Sequence, residues 1–254
     1  MVLTSTTLYK PEEPLVRSGP KVSVFIPSYN KGAYALDALR CVFAQTMTDW
    51  ELHLIENSND GKTHLIVEEE LGSWPPEVAA KVRYERLAGE DIERKRREVH
   101  MTAWLLNVYY PEAKGEYIFY LSDDDLIDPE CLAVMAGALD ADPGRKIVYA
   151  GLRMGVPAGP GDCGPWPDSG IPARDPKTFP GSVDCRVDGG QIMHHTACLD
   201  ALSWPYFEEA PARDVARHAD GLFLERLVAH FPFWPIPRFL ITHRTTPLST
   251  WSKA

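Results

Sequence analysis

The chain has 254 residues, of which 44% are hydrophobic and 24% are charged, with a formal net charge of −10 at pH 7. This length is enough to bury a sizeable core in one large domain. The acidic balance argues against a nucleic-acid partner, because binding a phosphate backbone needs an excess of Lys and Arg. Five scattered cysteines without a CxxC pair argue against a disulfide framework or a zinc site and favour a reducing, cytoplasmic location. No apolar run reaches about 18 residues, so we expect no transmembrane segment.

The first part of the chain predicts strands alternating with helices. Residues 1–20 are polar and proline-containing, and we expect an extended arm there. Short apolar runs then predict strands at 21–28, 50–57, 81–87, 115–122 and 146–152. Helical spacing predicts helices at 33–46, 96–110 and 128–141, the last with Asp128 as its N-cap and Pro129 at its first position.

This alternation predicts an α/β fold with a mostly parallel sheet covered by helices on both faces. Three polar segments follow predicted strands: residues 27–32, 56–62 and 122–128. In a parallel sheet, ligands bind beyond the carboxyl ends of the strands, at a switch in strand order. The three segments should therefore converge on one site.

The second part of the chain is less regular. Residues 153–181 are rich in Gly and Pro and predict a long irregular loop, of the kind that often forms a lid or a binding loop. A strand at 187–195, a helix at 219–231 and a last strand at 239–244 are predicted to follow.

Three consecutive aspartates, Asp123 to Asp125, stand at the end of the fourth predicted strand. One interpretation is a solvated turn that caps the next helix, but Asp128 already supplies a cap for that helix. Adjacent carboxylates that stay ionised together need a cation nearby. Oxygen ligands favour Mg²⁺ or Mn²⁺, which keep positions open for phosphate oxygens. The sequence therefore predicts a divalent metal that carries a nucleoside diphosphate.

The segments PSYNKG, QTMTDWEL and GEYIFYLSDDDLIDPE together resemble inverting family 2 glycosyltransferases of the GT-A fold, with the spore-coat polysaccharide type as the closest pattern. The resemblance covers residues 21–152 and resumes more weakly over 184–243. It implies a Rossmann-like mixed sheet, a nucleotide-sugar-binding subdomain at 21–152 and an acceptor-binding subdomain at 153–254.

The resemblance also implies roles for individual residues of the donor site. Glu56 would accept the uracil N3–H at a position where the family usually has Asp, and Asp123 would touch the ribose. Arg96 would contact the nucleotide, although its cluster ERKRRE also fits an exposed helix face. The residues implied to bind the nucleotide are Pro27, Ser28, Tyr29, Asn30, Glu56, Arg96 and Asp123.

The metal and the acceptor side complete the implied site. Asp124 matches the metal ligand and Asp125 would support it, while His243 is either a second ligand or a plain strand-end histidine. The general base of the family opens a late helix, where this chain has Asp220, with Asp214 as a rival. A helix N-terminus favours the ionised carboxylate that a base needs. Asp188 and Trp166 are assigned to the acceptor side, Trp166 for stacking on a sugar ring.

The function predicted from the sequence is metal-dependent, inverting transfer of a sugar from a UDP- or dTDP-sugar to a hydroxyl of a saccharide or small-molecule natural product. One alternative is a non-catalytic GT-A-like module that binds nucleotide sugars. Another is a Mg²⁺-dependent phosphatase or nucleotidyltransferase. Asp123-x-Asp125 resembles the nucleophile motif of haloacid-dehalogenase-type phosphatases, but that motif belongs after the first strand and here it follows the fourth. A nucleotidyltransferase would have a Gly-rich basic loop where this chain has PSYNKG.

Overall fold

The computed structural model describes residues 19–168, 170–171, 186–209 and 219–248. Within these ranges the strands are β1 (Val22–Ser28), β2 (Trp50–Glu56), β3 (Val82–Arg86), β4 (Tyr117–Tyr120), β5 (Leu126–Ile127), β6 (Ile147–Gly155), β7 (Gly170–Ile171), β8 (Ile192–His195) and β9 (Phe233–Arg244). The α-helices are α1 (Tyr34–Phe43), α2 (Thr63–Gly72), α3 (Pro76–Ala79), α4 (Glu90–Glu98), α5 (Met101–Tyr109), α6 (Cys131–Asp140) and α7 (Ala219–Val228). None of these helices is long and apolar enough to cross a membrane.

The described strands form one mixed sheet in the order β3-β2-β1-β4-β8-β6-β9-β5, with β7 paired to β6. β1 is parallel to both β2 and β4, β2 is parallel to β3, and β6 is parallel to β9. β8 is antiparallel to both of its neighbours. The predicted α/β class with a mostly parallel sheet is confirmed.

The strand order changes direction at β1. The chain builds β2 and β3 on one side of β1 and then returns to place β4 on the other side. Adjacent parallel strands whose connections run in opposite directions leave a crevice at their carboxyl ends. Here that crevice lies after Ser28 of β1 and Leu121, whose amide donates to the carbonyl of Phe25 at 3.0 Å.

Helices cover both faces of the sheet. Alternating side chains of β1 point to opposite faces, so Val24 and Ile26 join one buried cluster with α1 and α6. Phe25 joins a second cluster, which includes Leu105 of α5 and Leu224 of α7. The two apolar layers fix the sheet between the helices and hold its carboxyl edge in place.

The predicted start of the sixth helix is wrong. Asp128 is not an N-cap: its amide donates to the carbonyl of Leu240 at 2.9 Å, and a turn follows in which its own carbonyl accepts from the amide of Cys131 at 2.9 Å. The Asp128 carboxylate instead pairs with Arg153 at 2.8 and 3.1 Å. The helix therefore begins at Cys131, after Glu130.

The single helix predicted over 96–110 is two helices. Val99 has an extended backbone, and the imidazole of His100 accepts a hydrogen bond from the amide of Ala103 at 3.3 Å, which starts α5. α2 and α3 were not predicted, because α2 carries no continuous apolar stripe and buries only Thr63, His64 and Val67. The predicted strand at 187–195 starts only at Ile192, since residues 189–191 form a short 3₁₀ turn.

Candidate active site

The three polar segments predicted to converge do so at the β1–β4 crevice. The amide of Tyr29 donates to Asp123 Oδ2 at 2.7 Å, and the amide of Asn30 donates to Ser58 Oγ at 2.7 Å. Asn30 has a φ of 54°, a left-handed conformation that Asn adopts more readily than most residues. Its side-chain oxygen accepts from the amide of Asn59 at 3.0 Å. The loop after β1 is thus tied to both neighbouring loops.

Glu56 provides a buried hydrogen-bond acceptor beside this loop. The residue is fully buried at the end of β2, and its Oε1 accepts from the amide of Ser58 at 2.8 Å. Its Oε2 has no hydrogen-bond partner among the described residues. An unpaired buried oxygen is costly, so Glu56 offers one acceptor atom that a bound molecule can satisfy.

Arg96 of α4 faces the site rather than solvent. Its guanidinium donates to Asn57 at Oδ1 (3.0 Å) and at the carbonyl oxygen (2.6 Å). The same guanidinium lies 4.0 Å from the centre of the Tyr29 ring. A cation at that distance from an aromatic face is attracted to it, so Arg96 helps to orient Tyr29.

The aspartate triplet is buried and meets positive groups of the protein itself. Asp124 Oδ2 accepts from Lys31 Nζ at 2.6 Å and from Thr246 Oγ1 at 3.0 Å. Burial raises the pKa of Asp123 to about 7; the positive charge of Lys31 opposes this rise, and the negative charge of Asp124 adds to it. The cluster is therefore a place where negative charge is concentrated and cations are held.

Asp125 holds the end of β9. Its Oδ1 lies 3.1 Å from Nδ1 of His243 and accepts from the amide of Arg244 at 3.0 Å. Burial lowers the pKa of His243, but the charge of Asp125 and their hydrogen bond outweigh it and raise that pKa to about 9. Arg244 is completely buried and pairs with Asp37 of α1 at 2.7 Å.

The donor atoms at this site suit a divalent cation, although the described residues contain no ready-made group of three or more His, Cys, Asp or Glu side chains around one point. Asp124 already holds a cationic group. The Asp125 contact at Nδ1 makes Nε2 the nitrogen through which His243 would bind a metal, as in carboxylate–histidine–metal arrangements. Asp124 and His243 stay the predicted ligands, and His243, whose pKa is raised to about 9, would have to lose a proton before it binds a metal.

Asp220 lies in the first turn of α7, next to the turn that carries Asp188. Its Oδ2 accepts from the amide of Gly189 at 3.0 Å, and Asp188 Oδ1 accepts from the amide of Gly190 at 2.8 Å. Burial raises the pKa of Asp220 to about 6, with the charge of Asp188 adding to the rise. Burial and the charge of Asp125 raise the pKa of Asp188, so these carboxylates belong to one electrostatic unit. Asp214 lies outside the described residues.

Trp166 lies in the middle of the predicted Gly/Pro-rich loop, of which the structure assigns the first residues, up to Gly155, to β6. Its ring lies so close to Gly155 and Gly164 that a Cβ at either position would come within 2.8 or 2.9 Å of ring atoms. The ring thus fixes the loop to the end of β6, and a contact with a sugar remains a prediction. Residues 172–181, the last part of this loop, lie outside the described ranges.

Two residues of the site were missed in the sequence. Lys31 is part of the PSYNKG segment, and the signal was its charge: a lysine in one converging loop complements the aspartates in another. Thr246 reaches Asp124 from beyond the end of β9, and a single threonine in a Thr-rich stretch gives no pattern that would have identified it.

Comparison with known proteins identifies the family. The model of glycosyl transferase family 2 matches residues 23–162. The protein CgeD of Bacillus subtilis is 26% identical over 232 residues, which are 90% of this chain and 51% of CgeD. Chondroitin synthase of Escherichia coli is 24% identical over 144 residues, 57% of this chain and 19% of that protein. The chain thus spans about half the length of CgeD and less of chondroitin synthase.

Two solved structures share the fold. S. aureus TarS in complex with UDP has a TM-score of 0.61 and 17% identity, over 89% of this chain and 61% of that one. The mannosyltransferase PcManGT from Pyrobaculum calidifontis, in complex with GDP-Man and Mn²⁺, has a TM-score of 0.60 and 17% identity, over 92% of this chain and 60% of that one. The matched model covers more than half of the chain and includes β1, the aspartate triplet and β6. The chain therefore belongs to glycosyl transferase family 2 and has the GT-A fold.

Proposed function

We propose that this chain transfers a sugar from a UDP- or dTDP-sugar to a hydroxyl group of a saccharide or small-molecule acceptor, with inversion at the anomeric carbon and with a divalent metal. The observation that carries the proposal is that three groups converge at one crevice. They are the loop after β1 that includes Tyr29, here called the nucleoside loop, the buried acceptor oxygen of Glu56 and the Asp124 carboxylate. The half-buried carboxylate of Asp220 completes it on the α7 side.

The state of Glu56 supports uracil or thymine as the base. One of its oxygens is taken by the amide of Ser58, and the other has no partner within the part of the chain that the structure describes. Uracil and thymine each present one N–H donor on their pairing edge, whereas guanine presents an N–H and an amino group. A single available acceptor fits the first pattern, and satisfying it removes the cost of a buried unpaired oxygen.

A metal held by Asp124 and His243 would supply positive charge to the departing diphosphate. The protein's own part is to orient these ligands. Asp125 fixes the ring of His243, and Thr246 fixes the carboxylate of Asp124. Asp125 and Thr246 are both buried, which limits the movement of the two proposed ligands that they contact.

Asp220 is assigned as the general base. It would take the proton of the acceptor hydroxyl as that oxygen bonds to the anomeric carbon, while the bond from this carbon to the diphosphate breaks and the nucleoside diphosphate leaves. A base works best when its pKa is close to the working pH without exceeding it. A pKa of about 6 meets this condition at neutral pH, because the carboxylate is then mostly ionised.

The test separates donor binding from transfer. Wild-type protein and Asp220→Asn are incubated with Mn²⁺, UDP-sugars and a panel of saccharide and small-molecule acceptors, and both sugar transfer and donor affinity are measured. We expect Asp220→Asn to keep its donor affinity and to lose transfer by about a hundredfold or more. Equal transfer by the two proteins would remove Asp220 from the reaction, and a wild type that binds UDP-sugars without ever transferring them would indicate a non-catalytic module.

A further inference from the structure

We propose that Lys31 is an internal counter-ion of the donor site: it neutralises Asp124 while no metal is bound, and it moves to the donor's diphosphate when donor and metal bind. The inference rests on the proposed function, since it assigns to Lys31 a part in binding that donor. Lys31 is then a donor-binding residue in addition to the metal ligands and the base, and it changes its partner from Asp124 to the diphosphate when donor and metal bind.

The contact between Lys31 and Asp124 is short and buried. Nζ of Lys31 lies 2.6 Å from Oδ2 of Asp124, and the two side chains are only 11% and 4% exposed. The same ammonium lies 3.4 Å from the carbonyl oxygen of Leu248. The burial of Asp123 and Asp125 beside Asp124 explains why a cation is held here, because buried carboxylates that stay ionised need an opposite charge close by.

Lys31 contacts Oδ2, one of the two carboxylate oxygens through which Asp124 would bind a metal. A metal bound through Oδ2 of Asp124 cannot share that oxygen with an ammonium at 2.6 Å, since two cations so close together repel strongly where little water screens them. Metal binding at this oxygen therefore requires Lys31 to leave, and without a new partner for Lys31 that exchange is unfavourable.

The position of Lys31 in the chain gives its second partner. Lys31 directly follows Tyr29 and Asn30, whose amides fix the nucleoside loop, and it reaches from that loop to Asp124. A diphosphate that joins a nucleoside near Tyr29 to a metal at Asp124 must cross the same gap. Lysine has a long flexible stem and is a common phosphate ligand, so its ammonium can exchange a carboxylate for a phosphate oxygen with a small movement.

This exchange predicts opposite effects of removing the charge. Without Lys31, a metal meets an acidic cluster that has lost the cation paired with Asp124, and it should bind more tightly in the absence of nucleotide. A nucleotide should also bind less tightly in the absence of metal, because its diphosphate then meets the negative charge of Asp124 that Lys31 had neutralised. A lysine with a purely structural role would weaken both interactions together when removed.

The experiment measures the two affinities separately in wild-type protein, Lys31→Met, Lys31→Arg and Lys62→Met. Lys62 is an exposed lysine beside the same site, so Lys62→Met makes the same change in net charge without touching Asp124. Mn²⁺ affinity without nucleotide is measured by electron paramagnetic resonance, and UDP affinity without metal by calorimetry. Thermal unfolding of each variant checks that it is folded, and Lys31→Gln replaces Lys31→Met if the latter is not.

We expect Lys31→Met to bind Mn²⁺ about tenfold more tightly and UDP about tenfold more weakly than the wild type, a factor that corresponds to one lost charge-assisted contact. Lys31→Arg and Lys62→Met should bind Mn²⁺ like the wild type. An unchanged Mn²⁺ affinity in Lys31→Met, or a decrease of both affinities, would overturn the inference. If no protein binds UDP but Lys31→Met still binds Mn²⁺ more tightly, the counter-ion role stands and UDP is rejected as the donor nucleotide.

Discussion

At the scale of single residues, the surroundings of Asp220, the proposed base, set the pH at which its carboxylate is ionised. The carboxylate is half-buried beside Asp188, and both conditions raise its pKa to about 6. The ionised form is the one that accepts a proton, so the fraction of active protein increases as the pH rises through this value. kcat/KM for the acceptor, measured at saturating donor, should therefore fall below about pH 6 and be constant above it.

Asp188→Asn tests the source of this shift. Removing the negative charge of Asp188 should lower the pKa of Asp220, so that the acidic limb of the kcat/KM profile moves to lower pH. The Asn side chain can still accept the hydrogen bond from the amide of Gly190, which keeps the turn intact. A limb that stays at the same pH would show that Asp188 does not act on the base.

Glu56 is the residue that we propose selects the nucleotide base. Glu56→Gln keeps the size of the side chain but places an amide where a carboxylate oxygen had no partner. We expect UDP affinity to fall by about tenfold, which corresponds to one hydrogen bond to a charged group, while the affinity for Mn²⁺ without nucleotide is unchanged. Calorimetry with UDP, dTDP and GDP measures both affinity and base preference, and equal affinities of the variant and the wild type for all three would contradict this role.

At the scale of elements, the turn before β8 contacts Asp220, the proposed base, through the amide of Gly189. A Cβ added at Gly189 would lie 3.2 Å from the Cβ of Asp220, so one of the two must shift by a few tenths of an ångström. Small displacements of a reacting group are costly in rate. Gly189→Ala should therefore lower kcat by about tenfold with donor affinity retained.

Gly137→Ala is the matched control for this substitution. Gly137 lies in α6, and a Cβ there would meet nothing within 4 Å. Ala in a helix interior is favoured over Gly by roughly 0.5–1 kcal/mol, so this variant should be slightly more stable and fully active. A Gly189→Ala protein with wild-type kcat would show that the turn does not need its close approach to Asp220.

The link between β9 and α1 depends on a buried ion pair. Arg244 is completely buried and its guanidinium contacts Asp37 at 2.7 Å, while its amide donates to Asp125. Removing one partner of a buried pair leaves the other charge unpaired, at a cost of roughly 3–5 kcal/mol. Arg244→Met should lower the free energy of unfolding by about that amount, as measured by urea denaturation. A loss below about 1 kcal/mol would show that Asp37 is satisfied in another way.

At the scale of the whole molecule, the sheet and the convergence of its loops could be predicted from the sequence. The buried run of β1 and the alternation with α1 are strong local signals, and parallel pairing then brings the ends of β1, β2 and β4 together. β5 could not be predicted, because two residues, Leu126–Ile127, form a strand only through pairing with distant β9. Next to this pairing, α6 starts later than predicted, and the carboxylate of Asp128 accepts from Arg153 instead of capping the helix.

The site was predictable to the extent that its residues lie in converging loops. Tyr29 follows β1, Glu56 ends β2 and Asp123 comes shortly after β4, so the order of the strands places them. Lys31 and Thr246 could not be assigned to Asp124 from local patterns, since their contacts join residues 93 and 122 positions apart in the sequence. Long-range side-chain pairing of this kind depends on the packing of the whole sheet.

We propose that one crevice holds a nucleoside diphosphate between the nucleoside loop at Tyr29 and Asp124. The shift in melting temperature on adding nucleotides is the measurement that tests this proposal. The measurement uses UDP, dTDP and GDP, each with and without Mn²⁺, on wild-type protein and Asp124→Asn. At a concentration a hundredfold above Kd a ligand stabilises by about 2.7 kcal/mol, which for a chain of this size corresponds to about 5–10 °C. We expect such a shift for UDP or dTDP, a larger one with Mn²⁺, and loss of the Mn²⁺-dependent part in Asp124→Asn. A melting temperature that no nucleoside diphosphate changes, with or without metal, would contradict it.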